Sequence, residues 1–234
     1  MLQEYNKIQS LYKRQDFVKG APRGSHGPLL IGEYSEPEFG NIKLWHVEEK
    51  VDGTNIRVVF ERGTMYHALK EDRTRDCEDM SRVTFAGRSN DAQIPPHLLA
   101  YLQSTFTVEE LDKAFPDKSV KKVILFGEGY GPKIQSGGKY RDNVGFILFD
   151  VFVGSWVLMR SDNSVIASAL QVPMCPTIGI MTEEQIVNYV KSKPDSLCSV
   201  EKQTMEGVVC RSSPLMLFRN GKPMMWKLKC KEFD

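Results

Sequence analysis

Lys50-Val51-Asp52-Gly53-Thr54-Asn55 is the stretch on which the reading of this chain turns. Asp-Gly is turn chemistry, and the residues on either side alternate as strands do. Trp45 to Phe60 therefore predicts a strand, a sharp turn at Asp52-Gly53, and a second strand, Asn55-Ile56-Arg57-Val58-Val59-Phe60. Lys50 then stands at a strand end, where its backbone is rigid but its amine is accessible, as a nucleophile requires. A Lys-x-Asp-Gly pattern alone is a weak signal. Here other short motifs follow it in order: Phe126-Gly127-Glu128, Phe146-Ile147-Leu148-Phe149-Asp150, Glu206-Gly207-Val208-Val209 and Lys227-Leu228-Lys229.

In that order the motifs resemble those of the covalent nucleotidyltransferases, which include ATP-dependent RNA and DNA ligases and mRNA-capping guanylyltransferases. Tyr5-Asn6-Lys7-Ile8-Gln9, Leu11-Tyr12-Lys13-Arg14, Pro37-Glu38-Phe39, Trp45, Gly87-Arg88-Ser89 and Gln93-Ile94-Pro95 narrow it. They look like bacterial and bacteriophage RNA ligases, and the resemblance covers nearly the whole chain. It implies an α+β adenylation domain, with two antiparallel sheets flanked by helices around a nucleotide cleft. It also implies ATP as AMP donor, Mg²⁺ (or Mn²⁺), and RNA with 5′-phosphate and 3′-hydroxyl ends as the partner. The expected nucleotide-binding set is Glu48, Lys50, Asn55, Arg88, Glu128, Phe146, Glu206, Lys227 and Lys229, with Lys50, Lys227 and Lys229 catalytic.

Each position has its own chemistry. A lysine near its reference pKa of 10.4 is neutral in only about one molecule in a thousand at pH 7.4, so an attacking Lys50 needs its pKa lowered. Nearby cations lower it; Lys227, Lys229, Arg88 and a bound Mg²⁺ are the available ones. Lys227 and Lys229 alternate along a strand and point one way, toward developing charge on the α-phosphate. Gly53 permits a nucleotide close to the backbone. Thr54 and Asn55 suit either a ribose or phosphate hydrogen bond or plain turn chemistry. Arg88 matches the arginine that family members place on the nucleotide, near the ribose and the RNA end. Glu128 matches a carboxylate facing ribose hydroxyls. The resemblance assigns the metal to Glu206, with Glu128 as a second ligand; Mg²⁺ bridges one or two carboxylates to phosphates.

Alternation places Phe146, Leu148 and Asp150 on one face and Ile147 and Phe149 on the other, so a cleft-facing Asp150 brings Phe146 to stack on adenine. Lys133 to Tyr140 is basic, Gly-rich and tipped by an aromatic; with Lys139 and Arg141 it suits either a grip on nucleic acid or a hairpin tip.

Composition bounds the rest. A chain of 234 residues, 41% hydrophobic, with formal net charge +1, has no global basicity, so any nucleic-acid surface is a local patch. Lys7, Lys13, Arg14, Lys19 and Arg23 offer a second one, and Lys13 and Arg14 are candidates to hold pyrophosphate. Five cysteines without a Cys-x-x-Cys pair point to reduced thiols in an intracellular protein. The expected setting is cytoplasmic, in a bacterial cell or phage-infected host, as a monomer without a membrane partner. Strands outnumber helices, which are expected at His97 to Gln103, Val108 to Ala114 and Thr182 to Lys193, the last opening with a capping box. Val144 to Met159 reads as two buried strands and a turn, and Gly20 to Gly40 as an ordered loop. One adenylyltransferase domain is expected over 1–234, with no C-terminal oligonucleotide-binding fold. A minimal DNA ligase, a capping-type guanylyltransferase and a nucleotide-binding module without sealing activity stay open.

Overall fold

Runs rich in Val, Ile and Phe supply strands that pair into two separate five-stranded sheets. The computed structural model describes residues 4–15, 27–66, 77–135 and 137–233. In chain order the first strands are β1 (Gln9–Ser10), β2 (Tyr12–Arg14), β3 (Leu29–Tyr34), β4 (Trp45–Lys50), β5 (Thr54–Glu61), β6 (Thr64–Tyr66), β7 (Cys77–Asp79) and β8 (Arg82–Ala86). There follow α1 (Pro96–Thr105), α2 (Val108–Ala114), β9 (Lys122–Tyr130), β10 (Gly145–Val153), β11 (Trp156–Val157) and α3 (Arg160–Ala169). The last are β12 (Thr177–Met181), α4 (Glu183–Lys191), β13 (Gly207–Arg211) and β14 (Met225–Lys229).

The chain divides into two compact units, Met1–Tyr5 with Asp52–Met174, and Asn6–Val51 with Cys175–Asp234. The first, the Glu128 unit, has strand order β11-β10-β9-β5-β8, antiparallel throughout. Period-two alternation gives each strand two faces. Ile56, Val58, Leu125, Phe146 and Leu148 face Leu98 and Leu102 of α1, Phe106 just after it, Leu111 of α2 and Ile166 of α3. The other face carries a smaller cluster of Val59, Ile124, Phe126 and Phe152, on which Tyr5 packs against Phe126 and Phe149 at 5.0 Å each.

The second, the Lys50 unit, has strand order β1-β14-β13-β4-β12, antiparallel except for the parallel β1–β14 pair. Its core joins Trp45, Val47, Val208, Cys210, Trp226 and Leu228 to Ile186, Val187 and Val190 of α4. Trp45 and Trp226 meet edge to face at 5.2 Å. The expected capping box closes the start of α4 between Thr182 and Gln185.

The α+β class and the expected helices and central strands are all present. Three expectations need correcting. Within the predicted loop from Gly20 to Gly40, Leu29–Tyr34 is a strand because it pairs with β2, and residues 16–26 lie outside the described residues. Only the first strand of Val144 to Met159 is buried; β11 is a sheet edge and leaves Trp156 76% exposed. Strand alternation also fails in β10, where a bulge falls between Leu148 and Asp150. Among the described residues no helix is long and apolar enough to cross a membrane.

Candidate active site

The sheet of the Lys50 unit presents one face to α4 and sets the candidate catalytic groups on the other. Register fixes them in rows: Lys50, Gly207 and Lys229 lie side by side, then Glu48, Val209 and Lys227, then His46, Arg211 and Met225. Lys227 and Lys229 do share a face, as alternation predicts. Gly207 sits between two lysines, and a Cβ there would come within 2.1 Å of the Leu228 carbonyl oxygen, so the close approach of β14 requires glycine.

Glu206, just before this glycine, collects both neighbouring ammonium groups. Lys50 Nζ donates to Glu206 Oε2 and Lys229 Nζ to Oε1, each at 2.6 Å. Burial pushes the Glu206 carboxyl up, but Lys50 and Lys229 outweigh it and hold it below the usual value. Lys227 is pushed down to about 8, by burial first and then by the charges of Lys50 and Lys229, against the pull of Glu206 and Glu232. At pH 7.4 roughly one Lys227 in five is then neutral. Glu48 shares the face but is buried, with Arg211 Nη2 donating to its Oε2 at 3.1 Å and His46 Nε2 3.5 Å from its Oε1.

In the Glu128 unit, Asn55 and Glu128 are cross-strand partners on the face away from the helices. Asn55 Oδ1 is buried with no hydrogen-bond partner among the described residues. Arg88 is exposed on the loop after β8. The turn after Lys50 is packed by its own chain: a Cβ on Gly53 would meet the Gly129 carbonyl oxygen at 2.3 Å and Glu128 Cγ at 2.7 Å. Close approach at Gly53 is therefore to Glu128 and Gly129, a correction to the expectation of a nucleotide there.

Two aromatic assignments change as well. Phe146 is fully buried and meets Phe106 edge to face at 5.1 Å, so it is a core residue in this structure and has no open ring face for adenine. The bulge turns Asp150 to the opposite face, where the Tyr5 hydroxyl donates to its Oδ2 at 2.6 Å and Phe149 is partly buried beside Tyr5. Tyr140 does not offer a ring for stacking either. It is buried against Tyr130, and its hydroxyl accepts from the Asp52 backbone N–H at 3.1 Å. Lys133 and Lys139 are exposed, and the Arg141 guanidinium lies 5.5 Å over the Tyr130 ring. Arg14 is paired with Glu232, and Lys19 and Arg23 lie outside the described residues.

Residues 43–229 match the RNA ligase family. This chain belongs to that family. No curated protein sequence matches it significantly. Among solved structures it resembles a mutant of Naegleria gruberi RNA ligase with AMP and Mn, at 20% identity and TM-score 0.54, covering 82% of this chain and 51% of that one. Naegleria gruberi RNA ligase with PPi gives 20% identity and TM-score 0.52, over 81% and 50% of the two chains. An archaeal ATP-dependent RNA ligase gives 14% identity and TM-score 0.51, over 85% and 46%. At these identities the likeness is one of fold, and the chain spans about half the length of the solved ligases it matches.

Sequence reasoning passed over several charged residues that the fold of this RNA ligase family member buries or pairs. Glu49, beside Lys50, is buried and accepts from Ser196 Oγ at 2.5 Å, Leu197 N at 2.7 Å and Cys198 Sγ at 3.3 Å. Glu232 accepts from the Lys229 backbone N–H at 2.8 Å and from Arg14. Arg57 is fully buried on β5. The available signal was a charged residue inside an otherwise apolar strand, which is rarely buried without a partner.

Proposed function

We propose that this chain is an ATP-dependent RNA ligase that works through a lysyl-AMP intermediate at Lys50. The observation that carries this reading is the Lys50–Glu206–Lys229 cluster with Lys227 beside it, set on one sheet face in a member of the RNA ligase family. The neutral Lys50 amine attacks the α-phosphate of ATP; a P–N bond forms and pyrophosphate leaves. AMP then passes to a 5′-phosphate end, a 3′-hydroxyl attacks, and AMP departs. Lys227 and Lys229 supply positive charge where the phosphoryl oxygens gain negative charge. Asn55, Arg88 and Glu128 are the candidate nucleotide contacts of the other unit, and the buried, unmet Asn55 Oδ1 supports the first of them.

Naegleria gruberi RNA ligase has been solved with ATP and Mn, which supports a divalent ion in the reaction. The Glu206 carboxylate suits Mg²⁺ or Mn²⁺ by its chemistry, since Mg²⁺ needs only one or two carboxylates with phosphates and waters. Glu206 would hold it, with Glu128 a second candidate, and the ion would neutralise phosphate charge. In the present state the Glu206 carboxylate is engaged by Lys50 and Lys229. The RNA ends are read by the exposed Lys133 and Lys139 with Arg141, by a cytoplasmic monomer.

Incubation with labelled ATP or GTP followed by denaturing electrophoresis tests this. ATP should label the wild-type chain through an acid-labile, alkali-stable bond, and Lys50→Ala should abolish the label with the fold intact. Undiminished adduct in Lys50→Ala would overturn the nucleophile. Replacing Lys133, Lys139 and Arg141 together by alanine should slow sealing roughly tenfold, spare the adduct, and flatten an already shallow salt dependence. RNA ends should be joined in preference to DNA ends, since the 2′-hydroxyl distinguishes them; equal joining would favour a minimal DNA ligase.

A further inference from the structure

Arg57 is a fully buried arginine on β5, on the same strand as Asn55. Burying a guanidinium is costly unless its donors are met, and apolar replacements of buried ion pairs are often neutral or stabilising. Stability alone therefore gives little reason for an arginine here. Two of its bonds leave the sheet and reach one loop. Nε donates to the Gly87 carbonyl oxygen at 2.7 Å, and Nη2 donates to Asn90 Oδ1 at 3.0 Å. Those two acceptors bracket Arg88. The Asn90 backbone N–H donates in turn to Glu4 Oε1 at 3.2 Å, and Ala92 N–H closes on the Ser89 carbonyl at 3.3 Å. The loop is held on both sides of Arg88, while Arg88 itself is exposed, with no partner among the described residues.

The geometry points to Arg57 as the positioning residue of Arg88: the buried guanidinium sets the loop from which the exposed one reaches phosphate or ribose oxygens. This rests on the reading of Arg88 as a ligand contact. A planar fork binds oxygens with strict direction, so a loop displaced by an ångström loses much of the contact while the fold survives. In this role Arg57 acts through the loop that carries Arg88, not as a ligand contact itself. Asn90 is the other half of the device, an exposed residue whose side chain receives one of the bonds.

The oxygens belong either to the nucleotide or to an RNA end, and two assays separate them. Adduct formation from ATP reports the first, and joining of a pre-adenylylated RNA strand reports the second. Arg57→Lys should slow whichever reaction Arg88→Ala slows, by roughly tenfold, and Asn90→Ala by roughly threefold, with thermal melts checking the folded fraction. In an Arg88→Ala background each should cost less than about twofold, because a residue acting through Arg88 has nothing left to position. Losses of full size in that background would overturn the inference and leave Arg57 a structural residue, with the role of Arg88 intact. Wild-type rates in Arg88→Ala for both reactions would overturn the ligand role and the inference together. If Arg57→Lys does not fold, Asn90→Ala alone carries the same comparison.

Discussion

Lys50 and Lys229 close on the same carboxylate, whereas Arg88 meets no partner among the described residues. The two units treat charge differently. In the Lys50 unit the candidate catalytic groups neutralise one another across a central strand, and Glu48 is likewise paired with Arg211. In the Glu128 unit a buried arginine is used to hold a loop, and the exposed arginine beside it is left open. The first arrangement keeps like charges close together at rest, which a site for phosphoryl chemistry needs and an unpaired cluster would resist. The second holds an open cation ready for oxygens, as recognition requires.

The largest expected effect tests whether chemistry resides in the paired cluster. Lys227→Ala and Lys229→Ala should each lower adduct formation by roughly 10²–10³, the usual cost of one transition-state charge contact. Arg88→Ala should cost less in that step. Equal losses from all three would erase the division between the units.

Glu48 sharpens the same contrast. If its carboxylate supports the sheet face, Glu48→Ala strands Arg211 and should cost about 3 kcal/mol of stability, visible in denaturant melts without ATP. Unchanged stability together with a raised KM for ATP would return Glu48 to the nucleotide.

The smallest effect concerns Lys227. Its folded pKa, about 8, lies below the ordinary lysine value of 10.5, so between those values the unfolded chain binds more protons and stability rises with pH. Below pH 8 the penalty of its charge is fully present. Lys227→Met should therefore stabilise the fold by about 1 kcal/mol at pH 7 while removing activity, with the gain shrinking above pH 8 and gone above about 10.5. A gain that does not change with pH would mean simple packing rather than charge.

The legible part of the site lies where local rules operate. Lys50 at a strand end and Lys227 and Lys229 on one face follow from turn chemistry and the two-residue period. Phe146 and Asp150 were misassigned because a bulge breaks that period, and nothing in five consecutive residues announces it. Tyr140 looked like an open aromatic at a loop tip, yet the Asp52 N–H and Tyr130 hold it inside.

The sequence by itself determined the α+β class, because strands, turns and caps depend on residues a few positions apart, and the order of its motifs carried the resemblance that singles out the lysines. Tertiary structure alone decided which charges are spent inside the protein. Glu49 finds Ser196 across 147 positions and Glu232 finds Arg14 across 218. Arg57 finds Asn90 across 33, from one strand to a loop. Burial makes each of these charges costly unless a partner meets it, and only the packed sheets determine which partner arrives.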